Sequence, residues 1–153
     1  MKDFFKRNFY KILGYAGVLP FALFLAGFIV NQGNPILGNL MLVMQMVYGA
    51  IIISFLSGTH WPDAVRDKKI IKMIFSALPT IFLIPIIFWG MSHSPIQALL
   101  MMVVLFWFIF ALDRGYFYYR NDGVTMPRGY ILFRFVSTVL VTIILSVTYW
   151  LAS

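Results

Sequence analysis

Residues 48–61 read YGAIIISFLSGTHW. The stretch begins as hydrocarbon suited to a bilayer and ends in a polar, ionisable tip just before Pro62. Wound as a helix at roughly 100° per residue, it sorts its neighbourhood into faces. Gln45, Tyr48, Gly49, Thr59 and His60 fall in one sector. Ala50, Ser54, Ser57 and Gly58, all small, fall in another, and Met44, Ile51 and Phe55 lie between them, where they suit lipid. Small residues let helix backbones approach closely in a membrane, and polar side chains bond from one helix to the next. The pattern predicts a central helix with neighbours on at least two sides. Ordinary helix packing accounts for the small stripe without further function.

Outward from this stretch the same composition continues. The chain has 153 residues, 61% hydrophobic and 11% charged, against about 25% charged in an ordinary soluble domain. A membrane crossing needs about 20 mainly apolar residues. Five runs qualify, at about 12–32, 36–61, 70–91, 95–114 and 130–152, and the length suits a single membrane domain. The expected fold is all-α, an integral bundle of five transmembrane helices built round the second. Turn composition separates the runs at Asn31-Gln-Gly-Asn-Pro35, at Gly90-Met-Ser-His-Ser-Pro95 and at Asn121-Asp-Gly123, and Pro62-Asp63 opens a fourth connection. Pro20, Pro79 and Pro85 lie inside the runs, where each removes a backbone donor and favours a bend. The N-terminal segment has the charge of a signal peptide but too long an apolar run and no small-x-small site, so it reads as a retained first helix.

The charges sort by connection. Lys2, Lys6, Arg7 and Lys11 precede the first run; Arg66, Lys68, Lys69 and Lys72 follow the second; Arg114, Arg120, Arg128 and Arg134 flank the link from fourth to fifth. These are all the Lys and Arg of the chain, and the other connections and the C-terminus carry none. Five alternating crossings put every one of them on one side, as the positive-inside rule requires. The expectation is a cytoplasmic N-terminus and an external C-terminus. The net charge of +7 would suggest nucleic acid in a soluble protein; spread between apolar runs it points to anionic lipid headgroups instead. Trp61, Trp89, Trp150 and the tyrosines 116, 118, 119 and 130 fall near the run ends, where aromatic belts form.

The alternation also gathers a polar group. His60 closes the second run, Asp113 closes the fourth and Arg134 lies about one turn into the fifth, all at the inner leaflet. Intramembrane charges are costly and usually pair. Asp113 is expected to bond Arg134 across the last hairpin with His60 close by, either as a structural ion pair or as an inward-facing pocket where His60 exchanges a proton. Gln45, Tyr48 and Thr59 complete this polar cluster, while Gly49, Ala50, Ser54, Ser57 and Gly58 are the helix-packing set.

Much chemistry is excluded. Without cysteine there is no disulfide, thiolate metal site or cysteine nucleophile. His60 and His93 fall at opposite membrane faces, so one chain cannot supply a bis-histidine haem site. No phosphate loop, zinc-protease helix or serine elbow occurs. Neither a metal nor a cofactor is expected, and Asp63 with Asp113 lacks any pattern suggesting aspartyl proteolysis.

Several segments resemble a known family. LGYAGVLPF at residues 13–21 looks like its first-helix motif, residues 48–61 are similar to its most distinctive segment, and Ser76-Ala-Leu-Pro79 matches its third helix. Gln97, Asp113, Pro127, Tyr130, Arg134 and Thr138 fall where its last hairpin carries such residues. This is the bacterial and mitochondrial group that includes transmembrane protein 69. The chain departs from it at Gly129, where Trp is usual, and at Ser57, where Gly is usual. The resemblance implies a small multi-pass protein, here of the bacterial inner membrane, and supplies no catalytic residues.

Three functions follow in rank. First is a non-enzymatic scaffold or assembly partner, acting through membrane lipids and through a homo-oligomer or another membrane protein, with no nucleic acid. Second is a transporter or channel for protons or a small solute, in which Gln45, Tyr48, Thr59, His60, Asp113 and Arg134 line a route and Pro79 and Pro85 permit movement. An enzyme acting on lipid or quinone ranks last, because no reaction motif supports it.

Overall fold

The computed structural model describes residues 11–12, 14–117 and 129–153. Every regular element among them is helical: α1 (Leu19–Val30), α2 (Pro35–Gly58), α3 (Trp61–Arg66), α4 (Ile70–Ser92), α5 (Pro95–Leu112), a π-helical turn at Asp113–Phe117, and α6 (Tyr130–Ala152). Four helices among the described residues are long and apolar enough to cross a membrane, over Pro35–Gly58, Ile70–Ser92, Pro95–Gly115 and Tyr130–Ala152. A fifth apolar helix, Gly14–Val30, is shorter.

Local chemistry sets the boundaries. Between α1 and α2 the Asn31 amide donates to the Gly27 carbonyl at 2.7 Å, closing α1. Asn34 caps α2: its Oδ1 accepts from the backbone N–H groups of Ile36 and Leu37 at 3.1 and 3.2 Å, and Pro35 stands at the first helical position, where a missing N–H costs nothing. Pro95 opens α5 in the same way.

Three sequence expectations need correction. Pro20 lies at the start of α1 rather than inside a helix spanning 12–32. Helical structure before Gly17 breaks at a turn over Gly17 and Val18, and the chain resumes its winding at Leu19. A proline cannot donate back four residues, so it is tolerated where a helix restarts and resisted within one. Second, Pro62 and Asp63 do not open a loop, for α2 is followed directly by the short helix α3. Third, α5 passes at Asp113 into π geometry, which widens the turn and commonly marks functional positions in helices. The Asn121-Asp-Gly123 turn lies outside the described residues, as do Tyr118, Tyr119, Arg120, Pro127, Arg128, Lys2, Lys6 and Arg7.

The helices pack as a ring in the order α1, α2, α4, α5, α6, closed by α6 against α1, with α2 and α5 also touching across it. The centre is therefore shared by two helices rather than held by α2 alone. Phe21, Met46, Ile53, Leu99, Met102, Ile109 and Leu145 form its fully buried core. Leu23, Val30, Ile36, Ile84, Phe88, Val104 and Trp150 stand largely exposed around the outside, with Met44, Ile51 and Phe55. So much outward apolar surface on every helix is what a lipid solvent requires and what a soluble monomer avoids.

Winding up and down, the chain gathers its polar ends. The ends of α2 and α5 and the start of α6 meet through His60, Asp113 and Arg134. Lys11, Arg66, Lys68, Lys69, Lys72 and Arg114 all belong to the segments at this same end. At the opposite end, Asn31, Asn34, Leu151 and Ala152 surround one pocket, and the Trp89 indole N–H donates to Gln97 Oε1 at 2.8 Å while its ring stacks on His93 at 4.2 Å. Among the described residues this second end carries no Lys or Arg.

Candidate functional site

Asp113 sits where α5 gives way to the π-helical turn, 1% exposed. Arg134 Nε donates to its Oδ2 at 2.6 Å. His60 Nε2 lies 3.0 Å from its Oδ1, a close contact without hydrogen-bond alignment. One carboxylate thus holds two partners, one from the end of α2 and one from the first turns of α6. All three side chains are buried. Desolvated carboxylates and guanidinium groups are costly alone, and their mutual contact offsets that cost. The arrangement clamps the ends of three helices with one negative charge.

The rest of the predicted polar cluster is not gathered on Asp113. Gln45 is buried and its amide donates to the Phe21 carbonyl at 3.3 Å. The Tyr48 hydroxyl donates to the Gly17 carbonyl at 2.9 Å. Both bonds tie α2 to the first helical segment, and the second uses the very turn where that segment is broken. Phe21 packs edge-on against Tyr48 with ring centroids 5.0 Å apart. Thr59 is exposed and its hydroxyl returns to its own helix, donating to the Leu56 carbonyl at 2.6 Å.

The packing set also divides. Gly49, Ala50 and Ser57 are buried. A Cβ on Gly49 would stand 3.0 Å from Met102 Sδ, so its absence lets α5 approach. The Ser57 hydroxyl donates to the carbonyl of Ser76 on α4. Ser57 thus fastens α2 to α4 with a bond that a glycine could not make. Ser54 is partly exposed, and Gly58 faces open space, where a Cβ would find nothing within 4 Å.

Sequence reasoning missed other residues. A Cβ on Gly90 would stand 2.4 Å from Met46 Sδ and 2.7 Å from Ala98 Cβ, which makes Gly90 a closer contact than any glycine of α2. Its place beside the outer turn hid it. Lys72 is buried, and its Nζ lies 2.5 Å from Asp67 Oδ2 across the connection into α4; the charge pattern marks it only as one of a basic group. Gly129 adopts φ +84° immediately before α6, a left-handed conformation that glycine takes freely and tryptophan resists.

Beside the clamp lies a cavity of about 290 Å³ between α1, α2 and α6, reaching Phe106 of α5. Arg134, Ser137, Thr138 and Val141 of α6 line one wall, since residues three and four apart share a helix face. Among the described residues no group of three or more His, Cys, Asp or Glu side chains could hold a metal ion.

No curated protein and no solved structure matches this chain. The model of a family described as protein of unknown function (DUF3429) matches residues 7–150. That match takes in every helix described above except the last two residues of α6, and the chain belongs to this family.

Proposed function

We propose that the protein is a five-crossing, non-enzymatic component of the bacterial inner membrane, N-terminus in the cytoplasm and C-terminus outside, related to the group that includes transmembrane protein 69. It works as a scaffold or assembly partner through helix and lipid contacts. One observation carries the reading: the buried polar side chains fasten helices to one another. Gln45 and Tyr48 hold α1 to α2, Ser57 holds α2 to α4, and Asp113 holds the ends of α2, α5 and α6. A transport route needs such groups facing a path, and beyond them the centre is filled by Phe21, Met46, Met102 and Leu145. The cation-bearing end supports the orientation through the positive-inside rule.

The reading is tested by extracting the tagged full-length protein in mild detergent and identifying what comes with it. A reproducible membrane-protein partner or a defined self-assembly is expected. Repeated recovery of monomer alone would tell against it. Proteoliposomes should in parallel show no proton flux above protein-free vesicles.

A further inference from the structure

The cavity beside the clamp has a direction. Tyr130 and Thr59 lie at its cation-bearing end, Arg134 and Ser137 follow, and Val141, Phe21 and Ile52 close its deep end. From Tyr130 to Val141 the helix rises about 16 Å at roughly 1.5 Å per residue. The lining passes from polar to apolar along that length, the profile of a site for an amphiphile.

Its polar groups are incompletely used. Arg134 is 7% exposed, commits Nε to Asp113 and lines the cavity wall. Ser137 Oγ is buried without a hydrogen-bond partner. A buried donor left unpaired is costly, and a guanidinium pairs best with a carboxylate or phosphate. A second cation stands at the mouth: Lys11 Nζ approaches Gly129, the residue before Tyr130. The volume lies at the low end of the roughly 300–1,000 Å³ of small-molecule pockets, which suits one hydrocarbon chain rather than two.

We propose that this cavity holds one acyl chain of an anionic amphiphile, its oxyanion bonded to the guanidinium of Arg134 where that side chain lines the wall beside Ser137. The oxyanion is the phosphate of an inner-leaflet lipid or the carboxylate of a free fatty acid, and both present the same chemistry to these donors. The inference goes beyond the scaffold reading and does not need it. A protein that proved monomeric yet kept its amphiphile would sink the scaffold and leave the site standing.

The test uses the full-length protein in nanodiscs of equal parts phosphatidylglycerol and phosphatidylcholine, released intact into a mass spectrometer. Retention of a single phosphatidylglycerol, at least tenfold over phosphatidylcholine, is expected. In a second arm with added oleate, an adduct of oleate mass displacing the lipid identifies the carboxylate source. Ser137→Phe, which fills the cavity, should lower retention of either adduct about tenfold, whereas Val104→Phe on the outer face of α5 should not. Equal retention of the two phospholipids without an oleate adduct, or full retention by Ser137→Phe, overturns the proposal. If Ser137→Phe does not fold, wild-type protein is photolabelled with a phosphatidylglycerol and a fatty acid carrying a diazirine in the acyl chain. Labels on residues 52–59 and 130–141 from either probe support the site; labels confined to outward residues such as Ile84 and Val104 from both overturn it.

Discussion

Asp113 pairs with Arg134 and touches His60 inside the bundle, and its substitution should be strongly destabilising. Asp113→Asn keeps the shape but leaves the Arg134 charge buried without its counter-ion. Breaking a buried pair from one side costs roughly 3–5 kcal/mol, so thermal unfolding in detergent should shift down sharply, with Arg134→Gln close behind. The double substitution should cost clearly less than the two singles added together, because both lose the same contact. Additive effects would mean that Asp113 and Arg134 do not depend on each other. Lys68 offers the opposite sign. Its φ of +52° is left-handed, and such a conformation costs a residue with a Cβ roughly 1–2 kcal/mol. Lys68→Gly should therefore raise stability by up to about 1 kcal/mol, read from the same unfolding curves; a loss of stability would contradict that view of the connection. The charged residues of this site were legible in the sequence because an acid and an arginine at the edge of apolar runs need partners. The acceptors of Gln45 and Tyr48 were not legible, because they are backbone carbonyls, that of Phe21 within α1 and that of Gly17 at a helix break that composition alone does not mark.

At the scale of elements, α1 depends most on its fastenings. It is the shortest of the five long apolar helices and touches mainly α2, with a lesser contact to α6. Removing the hydroxyl in Tyr48→Phe loses one hydrogen bond, about 1 kcal/mol, and should speed amide hydrogen exchange over Leu19–Val30 while leaving α5 protected. Uniform acceleration in both helices would argue that α1 is not separately held. The glycines make a second contrast. Gly90→Ala forces a Cβ against Met46 and Ala98, and overpacking of this kind costs roughly 1–3 kcal/mol. Gly58→Ala meets nothing and should lie within about 0.5 kcal/mol of wild type. Equal effects at the two sites would contradict the packing described. The all-helical class followed from the apolar runs, and four of the five runs carry a helix long enough to cross a membrane. Which small residues touch did not follow, since a helical wheel gives the face of a residue but not the distance to the neighbour it faces. Gly58 and Ser57 are adjacent in the chain, yet only Ser57 reaches another helix.

For the whole molecule, a single asymmetry organises the account. The helix ends that meet at Asp113 carry the described lysines and arginines, and the other end carries none. Four helices are long enough to cross unaided; whether the fifth crosses decides on which side the N-terminus lies. Gly14–Val30 spans about 25 Å at roughly 1.5 Å per residue, slightly less than the roughly 30 Å hydrocarbon core. Modest thinning or tilt of the surroundings accommodates a shortfall of that size. Since the chain has no cysteine, single substitutions report position without background. The decisive measurement labels Lys11→Cys, Gln32→Cys, Lys69→Cys, Ser92→Cys and Ser153→Cys variants with a membrane-impermeant thiol reagent in intact cells. Labelling is expected at positions 32, 92 and 153, and at 11 and 69 only after the membrane is opened. Labelling of 11 together with 32 in intact cells, or of 69 together with 92, would contradict this topology.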